Sequence, residues 1–204
     1  MLDRSGFDLW ANDYDRSVGV SDESDAYPFA GYKALLNRIY NAVLAKERPS
    51  VLDIGFGTGT LAAKLYENGC EIWGQDFSEK MTKAALNKMP SAHLYVGDFS
   101  KGLAEPIMRE RFDFVIATYS LHHLPFDEQM RFIGVLKGLL KEDGTIMIGD
   151  VAFRTRAELD KCRAESNEDE WDTDEIYFVA DEVARFFPKM HFEQISHCAG
   201  LLII

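Results

Sequence analysis

With 204 residues, 47% of them hydrophobic and 12% aromatic, the chain is long enough to bury a substantial core and short enough to do so in one domain. Its 34 acidic against 22 basic side chains give a net charge of −12, which repels a phosphate backbone and disfavours nucleic-acid partners. The cysteines Cys70, Cys162 and Cys198 are odd in number and lack metal-ligand spacing, so neither a disulfide framework nor a metal is expected.

The first eight residues carry acids where a signal peptide needs basic and then apolar residues, and no apolar run approaches the ~20 residues of a membrane span. The expectation is a soluble, cytoplasmic chain with no membrane partner. Within residues 7–15, F-D-L-W-A-N-D-Y-D, the side chains Phe7, Trp10 and Tyr14 are spaced as one apolar helix face. Residues 21–32 hold cap residues punctuated by Pro28 and Gly31, and lead into a helix with Leu35, Leu36, Ile39, Tyr40, Val43 and Leu44 inward. Tyr27, Phe29 and Tyr32 at its entrance suit either core packing or the wall of an aromatic pocket.

The run V-L-D-I-G-F-G-T-G-T, residues 51–60, reads as a strand, a glycine turn and the start of a helix. Glycine at Gly55, Gly57 and Gly59 permits positive φ and removes each Cβ that would hold a ligand away, while the helix beyond offers unpaired N–H groups. A second strand, E-I-W-G-Q-D, ends in Asp76 at a spacing where a carboxylate can chelate ribose hydroxyls. The dinucleotide pattern Gly-x-Gly-x-x-Gly is not met, since Thr60 stands where its third glycine would be, which argues for a ligand without pyrophosphate.

Further along, Ser78 caps a helix with Met81, Ala84, Ala85 and Leu86 inward; Pro90 ends it, and residues 92–96 form a third strand closing at Gly97 and Asp98. R-F-D-F-V-I-A-T, 111–118, is the fourth strand and Y-S-L-H-H-L-P its exit loop. A helix over 127–140, a K-E-D-G turn and a fifth strand over 145–151 follow. From 154 to 174 the composition is strongly polar, and 165–175 reads as a solvated acidic loop. Residues 178–187 read as a short helix stopped by Pro188, and the last two apolar runs as an antiparallel hairpin. Alternating strands and helices imply a parallel sheet whose ligand lies beyond the strand carboxyl ends, where Gly55, Asp76, Asp98 and Ser120 converge.

The elements D-I-G-F-G-T-G from Asp53, G-Q-D-F-S-E-K-M at 74–81, G-D-F at 97–99 and F-D-F-V-I-A-T-Y-S-L-H-H-L at 112–124 resemble the class I S-adenosylmethionine-dependent methyltransferases. That resemblance implies a doubly wound, Rossmann-like α/β fold: a seven-stranded, mainly parallel sheet with an antiparallel C-terminal strand and helices on both faces. It implies one methyltransferase domain over 1–204, with a lid and helix over 1–47, a cofactor-binding core over 50–151, and substrate-side helices and a hairpin over 152–204.

It also implies S-adenosylmethionine as cofactor and roles for particular residues. Asp76 takes the ribose, Asp98 the adenine amine, and Phe77, Met81 and Phe99 the adenine face. Asp53 and the backbone near Gly55 or Thr118 face the methionine ammonium, and Tyr14 reaches the ligand from the lid. No N-P-P-Y-type loop or Pro-Cys nucleophile follows the fourth strand, which leaves a small-molecule O, N or S acceptor as the default. His122 and His123 are candidate bases by residue type and place, with Tyr14 and Tyr119 as candidate positioning groups; neighbours in sequence are expected to point apart. The alternatives are a non-catalytic S-adenosylmethionine-binding protein and a nicotinamide-dependent oxidoreductase.

Overall fold

A computed structural model describes residues 27–166 and 171–204. Tyr14 and the expected 7–15 helix fall outside that range. The elements, in chain order, are α1 (Tyr32–Leu44), β1 (Ser50–Ile54), α2 (Thr60–Glu67), β2 (Glu71–Asp76), α3 (Glu79–Lys88), β3 (His93–Val96), α4 (Glu105–Met108), β4 (Phe112–Thr118), α5 (Phe126–Lys137), β5 (Leu140–Phe153), α6 (Arg156–Glu165), β6 (Phe178–Val179), α7 (Ala180–Val183), β7 (His191–Gln194) and β8 (Ala199–Ile203).

Seven strands lie side by side in the order β3-β2-β1-β4-β5-β8-β7, and the two-residue β6 pairs with β5. The first five strands are parallel, and β8 runs antiparallel to both β5 and β7. Strand direction alternates the two faces with period two, so β1 sends Val51 into one core and Leu52 and Ile54 into the other. Leu35, Ile39 and Val43 of α1, with Leu61 and Leu65 of α2, cover the first face; Met130, Ile133 and Leu136 of α5 cover the second. Burial on both faces is why these strands read as continuous apolar runs.

The chain leaves β1 toward β2 on one side and later returns through β4 on the other, which opens the crevice between the β1 and β4 exits.

Several expectations are corrected. The fifth strand begins at Leu140, because Phe112 pairs with Leu140 and, past a bulge that carries the K-E-D-G turn, Phe114 pairs with Thr145. α5 accordingly ends at Lys137. The polar stretch after Arg154 contains α6, which a Thr155–Glu158 capping box starts and Leu159 and Cys162 anchor. Two buried residues in ten are too sparse a stripe for periodicity to register. In place of one helix over 178–187, Phe178 and Val179 extend along β5 before the single turn of α7. Leu86 is 38% exposed, and Thr82 and Met89 fill the inner positions instead.

The β1 and β4 starts are locked by Asp113. Its carboxylate accepts from the Ser50 N–H (2.8 Å) and hydroxyl (2.9 Å), and meets Lys46 Nζ at 2.6 Å and Lys141 Nζ at 2.8 Å. Burial opposes its charge, but these four donors outweigh burial and hold its pKa well below the usual carboxylate range. A carboxyl whose folded pKa is depressed stabilises the fold above its unfolded value, ~3.9, and that contribution is lost as pH falls through the folded value. Both lysines are about half exposed, so a loss of about 2 kcal/mol is expected for Asp113→Asn at neutral pH. Thermal melts should show Tm lowered by roughly 5 °C at pH 7, with a smaller difference between the two proteins in acid.

Candidate active site

Three glycines shape the floor of the crevice. Gly55, Gly57 and Gly59 have φ of +70°, +54° and +76°. A Cβ on Gly55 would lie 2.5 Å from Ser120 Cβ, so the β1 and β4 exit loops meet there backbone to side chain. Ser120 Oγ donates to the Ile54 carbonyl at 2.8 Å and ties the two exits together. Tyr119, also at positive φ (+49°), begins the β4 exit loop, and its N–H donates to the Gly149 carbonyl at 2.9 Å.

Asp53 is buried beneath the turn, and its Oδ1 has no hydrogen-bond partner among the described residues. Burial, with the nearby Asp76 carboxylate, pushes its pKa up to about 8. The cleft in front of it is lined by Tyr32, Gly55, Gly57, Thr60 and Thr118. Asp76, at the end of β2, accepts from the Gly57 N–H (2.9 Å) and from the Ser78 N–H (2.8 Å). Ser78 accepts from the Met81 N–H and so starts α3, as the sequence implied.

Other expected ligand residues have identifiable structural work. Asp98 caps the turn after β3 through the Ser100 N–H at 3.0 Å and pairs with Lys101 at 3.0 Å, and these bonds hold its pKa below the ordinary value although burial opposes them. Met81 is buried, with its sulfur 3.7 Å from where a Gly57 Cβ would lie. The Phe99 ring stacks on Phe132 at 5.5 Å, while its edge comes within 3.8 Å of where a Gly55 Cβ would lie. Phe77 is half-buried just beyond Asp76.

At the other end of the crevice the β4 exit loop brings together residues that sequence reasoning did not join. His122 is buried, with Nδ1 at 2.6 Å from Asp150 Oδ1 and Nε2 at 3.3 Å from Glu175 Oε1. Burial opposes its charge, but the two carboxylates outweigh it and push its pKa up to about 10. His122 is therefore an imidazolium in this arrangement and has no lone pair with which to act as a base. His123 is pulled down to about 4, first by burial and then by its charged neighbour, and is neutral at pH 7. The two rings do not point apart: they meet edge to face at 4.2 Å.

Glu175 also accepts from the Tyr177 hydroxyl at 2.7 Å, and Tyr177 hydrogen-bonds Tyr27, whose ring stacks on Trp171 at 4.9 Å. Burial opposes the Glu175 charge, but His122 and Tyr177 hold its pKa at about 2. Phe29 and Tyr32 pack against Tyr119 at 5.1 and 5.5 Å, so the aromatics of 27–32 pack on the core, and Tyr32 lines the crevice as well.

Glu175 was hidden because the acidic run around it reads as solvent-facing; its neighbour Ile176 carries it inward, the Ile176 N–H donating to the His122 carbonyl at 2.8 Å. Asp150 was legible in principle. Like Asp53 and Asp76, it is an aspartate near the carboxyl end of a buried strand.

Residues 51–144 match the methyltransferase domain family. An uncharacterized methyltransferase of Geobacillus sp. (strain WCH70) is 37% identical over 163 residues, 79% of this chain and 73% of that protein. One of Geobacillus kaustophilus (strain HTA426) is 36% identical over 193 residues, 91% of this chain and 86% of its own. The chain belongs to this methyltransferase family, and it is an enzyme of that class. Among solved structures, a DhpI–SAM–HEP complex superposes with a TM-score of 0.72 at 16% identity, covering 98% of this chain and 94% of DhpI. Magnesium protoporphyrin IX methyltransferase of Synechocystis PCC 6803 with bound SAH gives 0.64 at 19%, covering 86% and 83%. These likenesses establish the shared fold. Among the described residues, no helix is long and apolar enough to cross a membrane.

Proposed function

We propose that the protein transfers the methyl group of S-adenosylmethionine to a small-molecule O, N or S acceptor by in-line displacement. The observation that carries this reading is Asp53: a buried carboxylate with an unpartnered oxygen, in a glycine-walled cleft beside a second carboxylate. Such a cleft repels a pyrophosphate and suits a cationic, hydroxylated ligand, which favours an aminoacyl nucleoside over a nicotinamide dinucleotide. When bound, the cofactor supplies a methyl group on a sulfonium, a good leaving group.

The chain's own residues then bind, orient and exclude water. Asp76 accepts from the ribose hydroxyls, and Asp98 and the side chains Phe77, Met81 and Phe99 flank the base. Asp53 and the backbone around Gly55 and Thr118 accept from the ammonium. The acceptor lies past Tyr32 and Tyr119, among Phe29, Tyr27 and Tyr177, where aromatic walls keep water from the transfer. His123, neutral at pH 7, rather than the charged His122, is the residue there with a lone pair to receive a proton. The negative charge of the chain favours small acceptors over nucleic acids.

Calorimetry with S-adenosylmethionine, S-adenosylhomocysteine and NAD tests the ligand, and an acceptor screen read by S-adenosylhomocysteine formation tests turnover. Tighter binding of NAD than of either sulfur ligand would overturn the assignment. Asp53 adds a pH signature. It is largely protonated in the free chain below about pH 8, and an ammonium beside it favours the ionised form, so binding releases a proton. Affinity should therefore rise between about pH 6 and about pH 8, and Asp53→Asn should flatten that rise. Titrations in buffers of different ionisation enthalpy count the proton directly.

A further inference from the structure

The sequence offers no metal-ligand spacing, yet the fold gathers one imidazole pair and one carboxylate at the acceptor end of the crevice. Ligand atoms of His122, His123 and Glu175 all lie within 4.8 Å of one another, contributed by the β4 exit loop and by the segment before β6. The geometry points to a binding site for a single divalent transition cation of the zinc class, held by His122 Nε2, His123 and Glu175, with Asp150 behind His122; the cation would displace the Nε2 proton of the empty-site imidazolium and leave the Nδ1 proton on Asp150.

Four features support this beyond proximity. Two imidazoles and one carboxylate are a donor set that zinc uses where it keeps a fourth position open. His122 presents Nε2 to the cluster because Nδ1 is fixed on Asp150 at 2.6 Å, and a metal-bound histidine characteristically gives its other ring nitrogen to a carboxylate. The Nε2–Oε1 separation of 3.3 Å is long for a charge-assisted hydrogen bond, which falls at ~2.7–2.9 Å. It is instead close to the edge of a tetrahedron with bonds of ~2.0–2.1 Å. Lastly, Glu175 is itself oriented, through the Tyr177 hydroxyl on its other oxygen at 2.7 Å, so that Oε1 is left facing the histidines.

The Tyr177 ring lies beside the cluster, edge to face with His122 at 6.0 Å and with Tyr27 at 6.1 Å, and a three-residue donor set leaves a fourth position for a further ligand. Resting on the methyl-transfer reading above, that position would take the acceptor's hydroxyl or thiol. With the ion bound, the His123 lone pair is taken up by the cation and His123 no longer serves as the base; the cation would ease loss of the acceptor's proton to solvent, and the freed lone pair would form the new bond to the methyl group as the sulfonium bond breaks. The ion site itself stands without that reading.

The test uses the full, untagged chain, stripped with a chelator and titrated with Co2+, whose visible absorption distinguishes four-coordinate binding, and then with Zn2+ in competition. One equivalent is expected. Loss of an outer-shell partner alone costs ~10–100-fold in metal affinity, so His123→Ala and Glu175→Gln should each weaken binding at least tenfold. Circular dichroism identifies any variant that fails to fold, in which case the other carries the comparison. Absence of stoichiometric binding, or a change under tenfold in either folded variant, overturns the site. S-adenosylhomocysteine calorimetry on the stripped chain reads the cofactor cleft separately, so failure of the ion site and failure of the methyl-transfer reading give different results.

Discussion

Asp76→Ala is expected to weaken binding of S-adenosylhomocysteine by at least tenfold and to leave a folded chain. The carboxylate accepts from the Gly57 and Ser78 N–H groups at 2.9 and 2.8 Å, which fixes it at the crevice edge. Charge-assisted hydrogen bonds contribute roughly 1.5 to 3 kcal/mol each, and two to a ribose would account for a factor well beyond ten. Part of the loss would come from the glycine turn itself, since alanine removes the acceptor that holds the Gly57 N–H. Asp76→Asn removes the charge and keeps one of the two accepting oxygens, so it should weaken binding less than Asp76→Ala. Calorimetry reads the dissociation constant. An unchanged value in Asp76→Ala would mean that the carboxylate does not touch the ligand.

Gly55→Ala should be more severe than its one added carbon suggests, because two costs coincide. An alanine at φ +70° costs about 1 kcal/mol in backbone strain. Its Cβ would also stand 2.5 Å from Ser120 Cβ, inside any real contact, so either the β1 exit or the β4 exit must move. Movement there would disturb the Ser120 Oγ–Ile54 carbonyl bond and the cleft floor together. We expect a stability loss of about 2 to 3 kcal/mol, in line with overpacking elsewhere, and a fall in cofactor affinity of at least tenfold. Gly57→Ala is the internal control. It has positive φ too, but the nearest atom to its Cβ would be Met81 Sδ at 3.7 Å, so it should cost strain without collision. Equal effects in the two variants would show that the Ser120 contact is unimportant.

Much of this arrangement was legible from residue order alone. Strand–turn–helix at 50–67, the carboxylates at Asp53 and Asp76 and the cap at Ser78 are local features: glycine at positive φ, a side chain accepting from an N–H three residues on, apolar runs buried on both faces. Local chemistry leaves local traces, and those traces were enough to indicate the family and the fold.

What the sequence could not fix was the histidine–carboxylate cluster, because its chemistry depends on residues far apart in the chain. Asp150 meets His122 across 28 positions and Glu175 lies 53 beyond it, so the charge state of that imidazole is set by partners no window contains. Two adjacent histidines looked equivalent as bases; two carboxylates make one a cation, and burial keeps the other neutral. Glu175, unremarkable in an acidic run, becomes the pivot of the cluster only because backbone pairing of Ile176 to His122 draws it inward. Sequence determined the strand, turn and cap at each step of the framework, whose forces act between near neighbours. Tertiary structure alone decided the electrostatics of the histidine–carboxylate cluster, since burial and charge pairing are properties of what packs against a side chain and not of what precedes it.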